Sequence, residues 1–195
     1  MAMLVGVNKY DRRGFNDLAY AERDVDELAV ELQQQGFEVR LLKGSLAGPQ
    51  RATRQNIRSA LEELLKDGTS RDIVFLGFAG HGQQLPLQDE QGKVRLSLDG
   101  KPLEDAYFCP VDAVMGEQGS LIGLTNLVQT LDRKGGINLV MVDACRDNPD
   151  SSRSTRSITG NELNGRLPSN TAILFSCAAH QQALETKDAG GGHGV

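Results

Sequence analysis

Apolar residues follow two rhythms along this chain. Short runs rich in β-branched and aromatic side chains, closed by glycine or polar residues, read as buried strands at 3–7, 37–42, 72–78, 137–142 and 171–177, with a shorter strand-like piece at 107–111. Between them the period lengthens to 3.6. Over 18–35 it sets Leu18, Ala21, Val25, Leu28, Ala29 and Leu32 on one face, and Gly36 ends the helix. Thr53 has the chemistry of an N-cap for a second helix that buries Ile57, Ala60, Leu61, Leu64 and Leu65 and closes at Gly68. Thr125 is placed as the cap of a third, carrying Leu127, Val128 and Leu131 and ended by the Gly135–Gly136 pair. Residues 8–16 and 43–51 read as loops. The polar stretch 83–106 alternates apolar and polar residues over 93–98, which predicts a surface β-hairpin. Residues 148–170 hold little to bury and read as an exposed linker. Strands alternating with helices predict an α/β fold: a mostly parallel central sheet with helices on both faces.

Composition narrows the function. The 195 residues suffice for one domain, 1–195, and 39% hydrophobic with 24% charged residues is ordinary for a globular protein. The net charge of −5 argues against nucleic acid or an anionic membrane surface as partner. Cys109, Cys145 and Cys177 show no pairing or zinc spacing. No stretch is long enough to span a membrane and no signal peptide precedes the first strand, so a cytoplasmic, reducing setting is expected, one that keeps a reactive thiol reduced.

That thiol is the centre of interest. In open α/β sheets, chemistry gathers outside the carboxyl ends of the strands. Strand 137–142 runs into Asp143-Ala144-Cys145-Arg146-Asp147-Asn148, and strand 72–78 runs into Ala79-Gly80-His81-Gly82. If the two strands are parallel neighbours, a cysteine and a histidine emerge on one edge, as a nucleophile and its acid–base partner require. Gly82 offers a bare N–H, the kind of donor that stabilises an oxyanion. Cys109 and Cys177 read instead as small buried hydrophobes, and His180 and His193 as structural or solvated.

The stretches Phe78-Ala79-Gly80-His81-Gly82 and Val142-Asp143-Ala144-Cys145-Arg146-Asp147-Asn148-Pro149 resemble the histidine and cysteine motifs of the caspase-like peptidases, family C14, most closely the bacterial metacaspase-like (orthocaspase) branch. Further similar stretches run from Val5-Gly6-Val7-Asn8-Lys9-Tyr10 to Phe175-Ser176-Cys177. The resemblance implies a caspase-like α/β/α sandwich. Residues 1–147 would correspond to a large-subunit-like portion, 148–170 to a linker loop and 171–195 to the start of a small-subunit-like portion. The family's further helix and edge strand would lie beyond Val195 or come from a completing subunit. Cys145 would attack the scissile carbonyl, His81 would act as acid and base, and the N–H groups of Gly82 and Cys145 would form the oxyanion hole. No third member of a triad is implied. Asp143 stands where caspases that cut after Asp carry Gln, and Asp24 matches a second pocket acid. On the helix Asp24 also falls at the rim of the apolar face, beside Ala21 and Leu28. Two carboxylates in one pocket favour a cation, so protein or peptide substrates cut after Arg or Lys are expected.

No cofactor is expected. The resemblance leaves calcium activation open, with Asp89, Glu90, Asp99, Glu104 and Asp105 as an acidic group that lacks EF-hand spacing. The linker carries Arg153, Arg156 and Arg166, so an enzyme selecting Arg is expected to cut itself there, after Arg153 or Arg156. Two other readings compete. One is an inactive or incomplete caspase-like module that binds or regulates. The other, a nucleotide-binding or receiver-type α/β domain, is disfavoured because the glycines around His81 lack the Gly-Lys-Ser/Thr of a phosphate loop.

Overall fold

The computed structural model describes residues 1–66, 68–69, 71–89, 91–147, 167–176, 185–186 and 193–194, with backbone alone for 145–147 and for the last two pairs. The linker arginines, Cys177, His180 and Glu90 therefore lie outside the described residues, as does the side chain of His193.

Five parallel strands form the body of the sheet. β1 (Ala2–Gly6) is fully buried and pairs with β2 (Val39–Lys43) on one side and β3 (Ile73–Pro86) on the other. β3 pairs in turn with β6 (Ile137–Asp147), and β6 with β7 (Thr171–Phe175). The order is β2-β1-β3-β6-β7. Beyond the end of β1, the second half of β3 takes a new neighbour. There β4 (Glu104–Phe108) pairs antiparallel with Gly82–Pro86, and the short β5 (Ile122–Gly123) pairs with β4. A separate two-stranded ladder joins β8 (Glu185–Thr186) to β9 (His193–Gly194).

Alternation along the strands sorts the core into two layers. Met3, Val5, Val7, Leu76, Phe78, Val140 and Val142 face the helices α2 (Arg54–Lys66) and α3 (Leu124–Lys134). Leu4 and Ala79 face α1 (Ala21–Gln34), whose Ala21, Val25 and Ala29 pack on them. The apolar faces read from the 3.6 period are the buried ones. On the α1 side, Ile137, Leu139, Met141 and Leu174 of β6 and β7 remain exposed among the described residues. No described helix is long and apolar enough to cross a membrane.

The helix ends are only partly as expected. α1 starts at Ala21 rather than near Leu18, and it finishes in a Schellman motif: Gly36, at φ 84°, donates to Gln33 O and Phe37 N–H donates to Leu32 O at 3.0 Å. Thr53 caps α2, its Oγ1 accepting from Asn56 N–H at 3.2 Å. Thr125 does not cap α3. The cap residue is Gly123, and Thr125 lies inside the helix, where its hydroxyl donates to Asp105 Oδ1 at 2.7 Å. The alternating stretch 93–98 pairs through short antiparallel bridges, Gln88 to Val94 and Leu96 to Pro102, on either side of turns at Gly92 and Gly100, rather than through longer strands.

Candidate active site

The two strands expected to carry the chemistry are parallel neighbours, and their register sets His81 opposite Cys145. Neither residue stands past a strand end. β3 runs on through Gly80-His81-Gly82 to Pro86, and β6 runs to Asp147, because β4 supplies a new antiparallel partner where β1 stops. Gly82 lies inside this ladder, opposite Phe108 of β4 and Arg146 of β6.

The crossover from one partner to the next happens at Gly80. Its φ is 154°, and an added Cβ would come within 2.9 Å of Tyr10 Oη and 3.2 Å of Phe108 Cε2. A side chain there would strain the backbone and push on Tyr10. Tyr10 holds the next residue in place: its hydroxyl oxygen accepts the His81 N–H at 2.8 Å. The rings of Tyr10 and Phe15 stack with centroids 4.6 Å apart, and each lies against the His81 imidazole, at 5.3 and 5.7 Å.

Among the described residues, a hydrogen bond from the imidazole decides its tautomer. Nε2 lies 2.8 Å from the carbonyl oxygen of Asn16, which can only accept. Nε2 therefore carries the proton, and Nδ1 is left as the ring atom able to take one up. Asn16, Tyr10 and Phe15 all come from the loop between β1 and α1. Tyr10 belongs to a stretch the sequence singles out. The Asn16 carbonyl is a backbone group and leaves no mark in the sequence.

That loop is fastened by Glu22 at the start of α1. Its nearly buried carboxylate accepts from the N–H of Asn8 at 3.3 Å and of Ser45 at 3.2 Å, and from the Ser45 hydroxyl. Asn8 Oδ1 returns a bond from Glu22 N–H at 3.0 Å. One carboxylate thus ties the loops after β1 and β2 to the first turn of α1.

Asp24 and Asp143 are brought together. Both line a cavity of about 250 Å³ between α1 and the β3–β6 pair, with Glu27, Leu28, Gly77 and Met141 among its other walls. Gly77 leaves bare backbone at its floor: a Cβ there would stand 2.6 Å from Leu4 Cδ2. Glu27 adds a third carboxylate, paired with Arg23 at 2.7 Å. Its place three residues after Asp24 on a helix is the signal that could have found it.

The remaining candidates separate from this site. Cys109 is fully buried, accepts from Gln83 Nε2 at 3.3 Å, and burial pushes its thiol up to about 12, so it is an inert core residue. The acidic group considered for calcium is spread out and engaged. Asp89 Oδ1 accepts from Gln91 and Lys93 N–H, Asp99 pairs with Lys101 at 2.8 Å, and Asp105 receives Thr125 and the Ala106 N–H. Among the described residues, no three His, Cys, Asp or Glu side chains gather as a metal site.

Comparison with known proteins agrees with this architecture. Residues 1–192 match the caspase domain of peptidase family C14. Metacaspase-3 of Arabidopsis thaliana is 33% identical over 119 residues, covering 57% of this chain and 29% of that protein. Metacaspase-6 of the same plant is 29% identical over 91 residues, covering 45% of this chain and 24% of its own length. The chain thus spans less than a third of these curated relatives. Among solved structures, a Geobacter sulfurreducens protein superposes with a TM-score of 0.57 at 25% identity, over 76% of this chain and 51% of the other. Caspase-1 of Spodoptera frugiperda superposes with a TM-score of 0.61 at 15% identity, over 95% of this chain and 62% of its own, a likeness of fold.

Proposed function

Since this chain belongs to the caspase-domain family of peptidases, C14, we propose that it is a cysteine endopeptidase that cuts after Arg or Lys with Cys145 and His81 as its dyad. The observation that carries this reading is the register of β3 and β6, which sets the two residues directly across one parallel ladder. Neighbouring strands lie roughly 4.8 Å apart, a spacing that suits a nucleophile and its proton acceptor.

In the reaction, Nδ1 of His81 takes the proton of the Cys145 thiol, and the thiolate attacks the carbonyl carbon as a C–S bond forms. The oxyanion that results is met by the N–H groups of Gly82 and Cys145. His81, held through Nε2–H by the Asn16 carbonyl, passes that proton from Nδ1 to the leaving nitrogen as the C–N bond breaks. Nδ1 then takes a proton from the water that attacks the thioester and returns it to the sulfur as the C–S bond breaks, so the thiol is restored. The basic side chain before the cut enters the cavity lined by Asp24 and Asp143. Those two acids favour a metacaspase-like preference for a cation over cleavage after Asp.

A fluorogenic peptide panel varying the residue before the cut tests the reading. Arg and Lys peptides are turned over and Asp peptides are not, and Cys145→Ala and His81→Ala each abolish turnover with the melting temperature kept. Losing one carboxylate by Asp143→Asn lowers kcat/KM for Arg peptides about thirtyfold, the scale of a removed buried charge partner. Equal turnover of Asp and Arg peptides, or activity in folded Cys145→Ala, overturns it. A folded chain that cuts nothing is instead a binding module on the same fold.

A further inference from the structure

A second cavity lies away from the dyad, and its charge is opposite to that of the Asp24–Asp143 groove. It measures about 690 Å³ and opens between α2, α3 and the β4–β5 extension. Arg54 and Arg58 of α2 and Arg95 of the 88–102 loop line it. In a chain of net charge −5, three guanidinium groups around one cavity are a local reversal of sign.

These cations are not consumed by the fold. None of the three forms an ion pair among the described residues. Arg54 is steadied by a bond from its Nε to the Leu121 carbonyl at 3.1 Å, which leaves its outer nitrogens free to donate. Arg58 and Arg95 are exposed. The one acid that lines the cavity, Asp105, is already occupied by Thr125 Oγ1 and the Ala106 N–H. The rest of the lining is mixed, with Leu61, Leu121, Leu127 and Tyr107 beside the polar Gln118 and Asn126.

We propose that this cavity is a docking site for an acidic, partly apolar peptide segment, a stretch of a protein substrate remote from the bond to be cut. The name substrate rests on the peptidase reading above, whereas the binding itself does not. Planar guanidinium groups match carboxylates in pairs of parallel bonds, and the apolar part of the lining accepts the side chains between them. A small anion would use the cations and leave that apolar part unused. A polypeptide bearing Asp or Glu among Leu or Ile uses both. The molecule then reads a substrate twice: a cation in the acidic groove and an acidic segment in the basic one.

Fluorescence anisotropy on the full chain carrying Cys145→Ala decides it. The probe is a short fluorescein-labelled peptide of alternating Glu and Leu, compared with its Gln-for-Glu counterpart. The acidic peptide binds, its affinity falls as salt is raised, and the Gln peptide binds at least about tenfold more weakly. Arg58→Glu with Arg95→Glu, both at exposed positions that do not endanger folding, removes the binding while the melting temperature holds. Equal binding of the two peptides, or a charge-reversed variant that still binds within twofold, overturns the proposal. Because the readout needs no turnover, a chain without peptidase activity that binds the acidic probe keeps the docking site and loses only the word substrate. A chain that cuts basic peptides and ignores the probe loses the docking site alone.

Discussion

His81 is held from two directions that substitution can separate. Its backbone N–H bonds the Tyr10 hydroxyl, and its ring rests on the Tyr10–Phe15 stack and bonds the Asn16 carbonyl. Tyr10→Phe keeps the stacked ring and removes the hydroxyl that accepts the His81 N–H. An unpaired buried donor costs about 1–3 kcal/mol. The expected result is a melting temperature several degrees lower and a reduced kcat for Arg peptides, with KM little changed because the acidic cavity is untouched. An unaltered kcat with an unaltered melting temperature would show that the hydroxyl does not position His81. The sequence makes His81 and Cys145 visible because few alternatives stand around them: Gly80 and Gly82 flank one, and Asp143, Arg146 and Asp147 surround the other. It hides Asn16, whose contribution comes from an atom every residue has.

At the scale of elements, the informative case is the start of α3. Asp105 of β4 stands under its first turn, buried, and serves the orphan N–H end of the helix that Thr125 was expected to cap. Burial raises the Asp105 pKa from 3.8, and the bonds from Thr125 and Ala106 only partly oppose it. Between the ordinary value and the raised one, the folded chain keeps a proton that the unfolded chain has released. Stability contributed here therefore falls as pH rises through that window. Asp105→Asn keeps an acceptor oxygen and cannot titrate. The gap in melting temperature between the variant and the parent should widen in the variant's favour as pH climbs from about 3 toward neutrality. A gap independent of pH would mean that Asp105 titrates as it does in the unfolded chain. Helix faces were legible because a 3.6 period is repeated over several turns; their first residues were not. The cap of α3 depends on an acid 20 residues earlier, reached only once β4 and α3 are packed. The same holds for the ends of β3 and β6. Their apolar runs stop at Phe78 and Val142, but the ladder continues wherever another strand supplies partners.

For the whole molecule, the sheet edge that carries the candidate site is fastened by a few polar groups beside the packing of Tyr10 and Phe15. Glu22 ties the loops after β1 and β2 to α1, and Asp112 bonds the Arg54 N–H at 2.9 Å, joining the segment after β4 to the start of α2. Glu22→Ala leaves the Asn8 and Ser45 N–H groups without their acceptor, a loss of about 2 kcal/mol or more. Limited proteolysis should then cut first within residues 8–16, where the parent chain resists. A cleavage pattern identical in both would show that Glu22 does not hold the loop. The mostly parallel sheet with helices on both faces was legible from the alternation of strands and helices, but the order of its strands was not. Nor was the β4–β5 extension, since its strands are short, β4 pairs only with the far half of β3, and β5 pairs only with β4. The pairing of His81 with Cys145 also has a consequence for how such a chain can change through descent. Loops tolerate added or deleted residues, but one residue gained in β6 between Ile137 and Cys145 would bring a different residue opposite His81 and exchange the two faces of the strand from there on. The eight residues from Ile137 to Ala144 are thus a counted interval. The apolar ones among them can drift within their class, while the number of the whole set cannot.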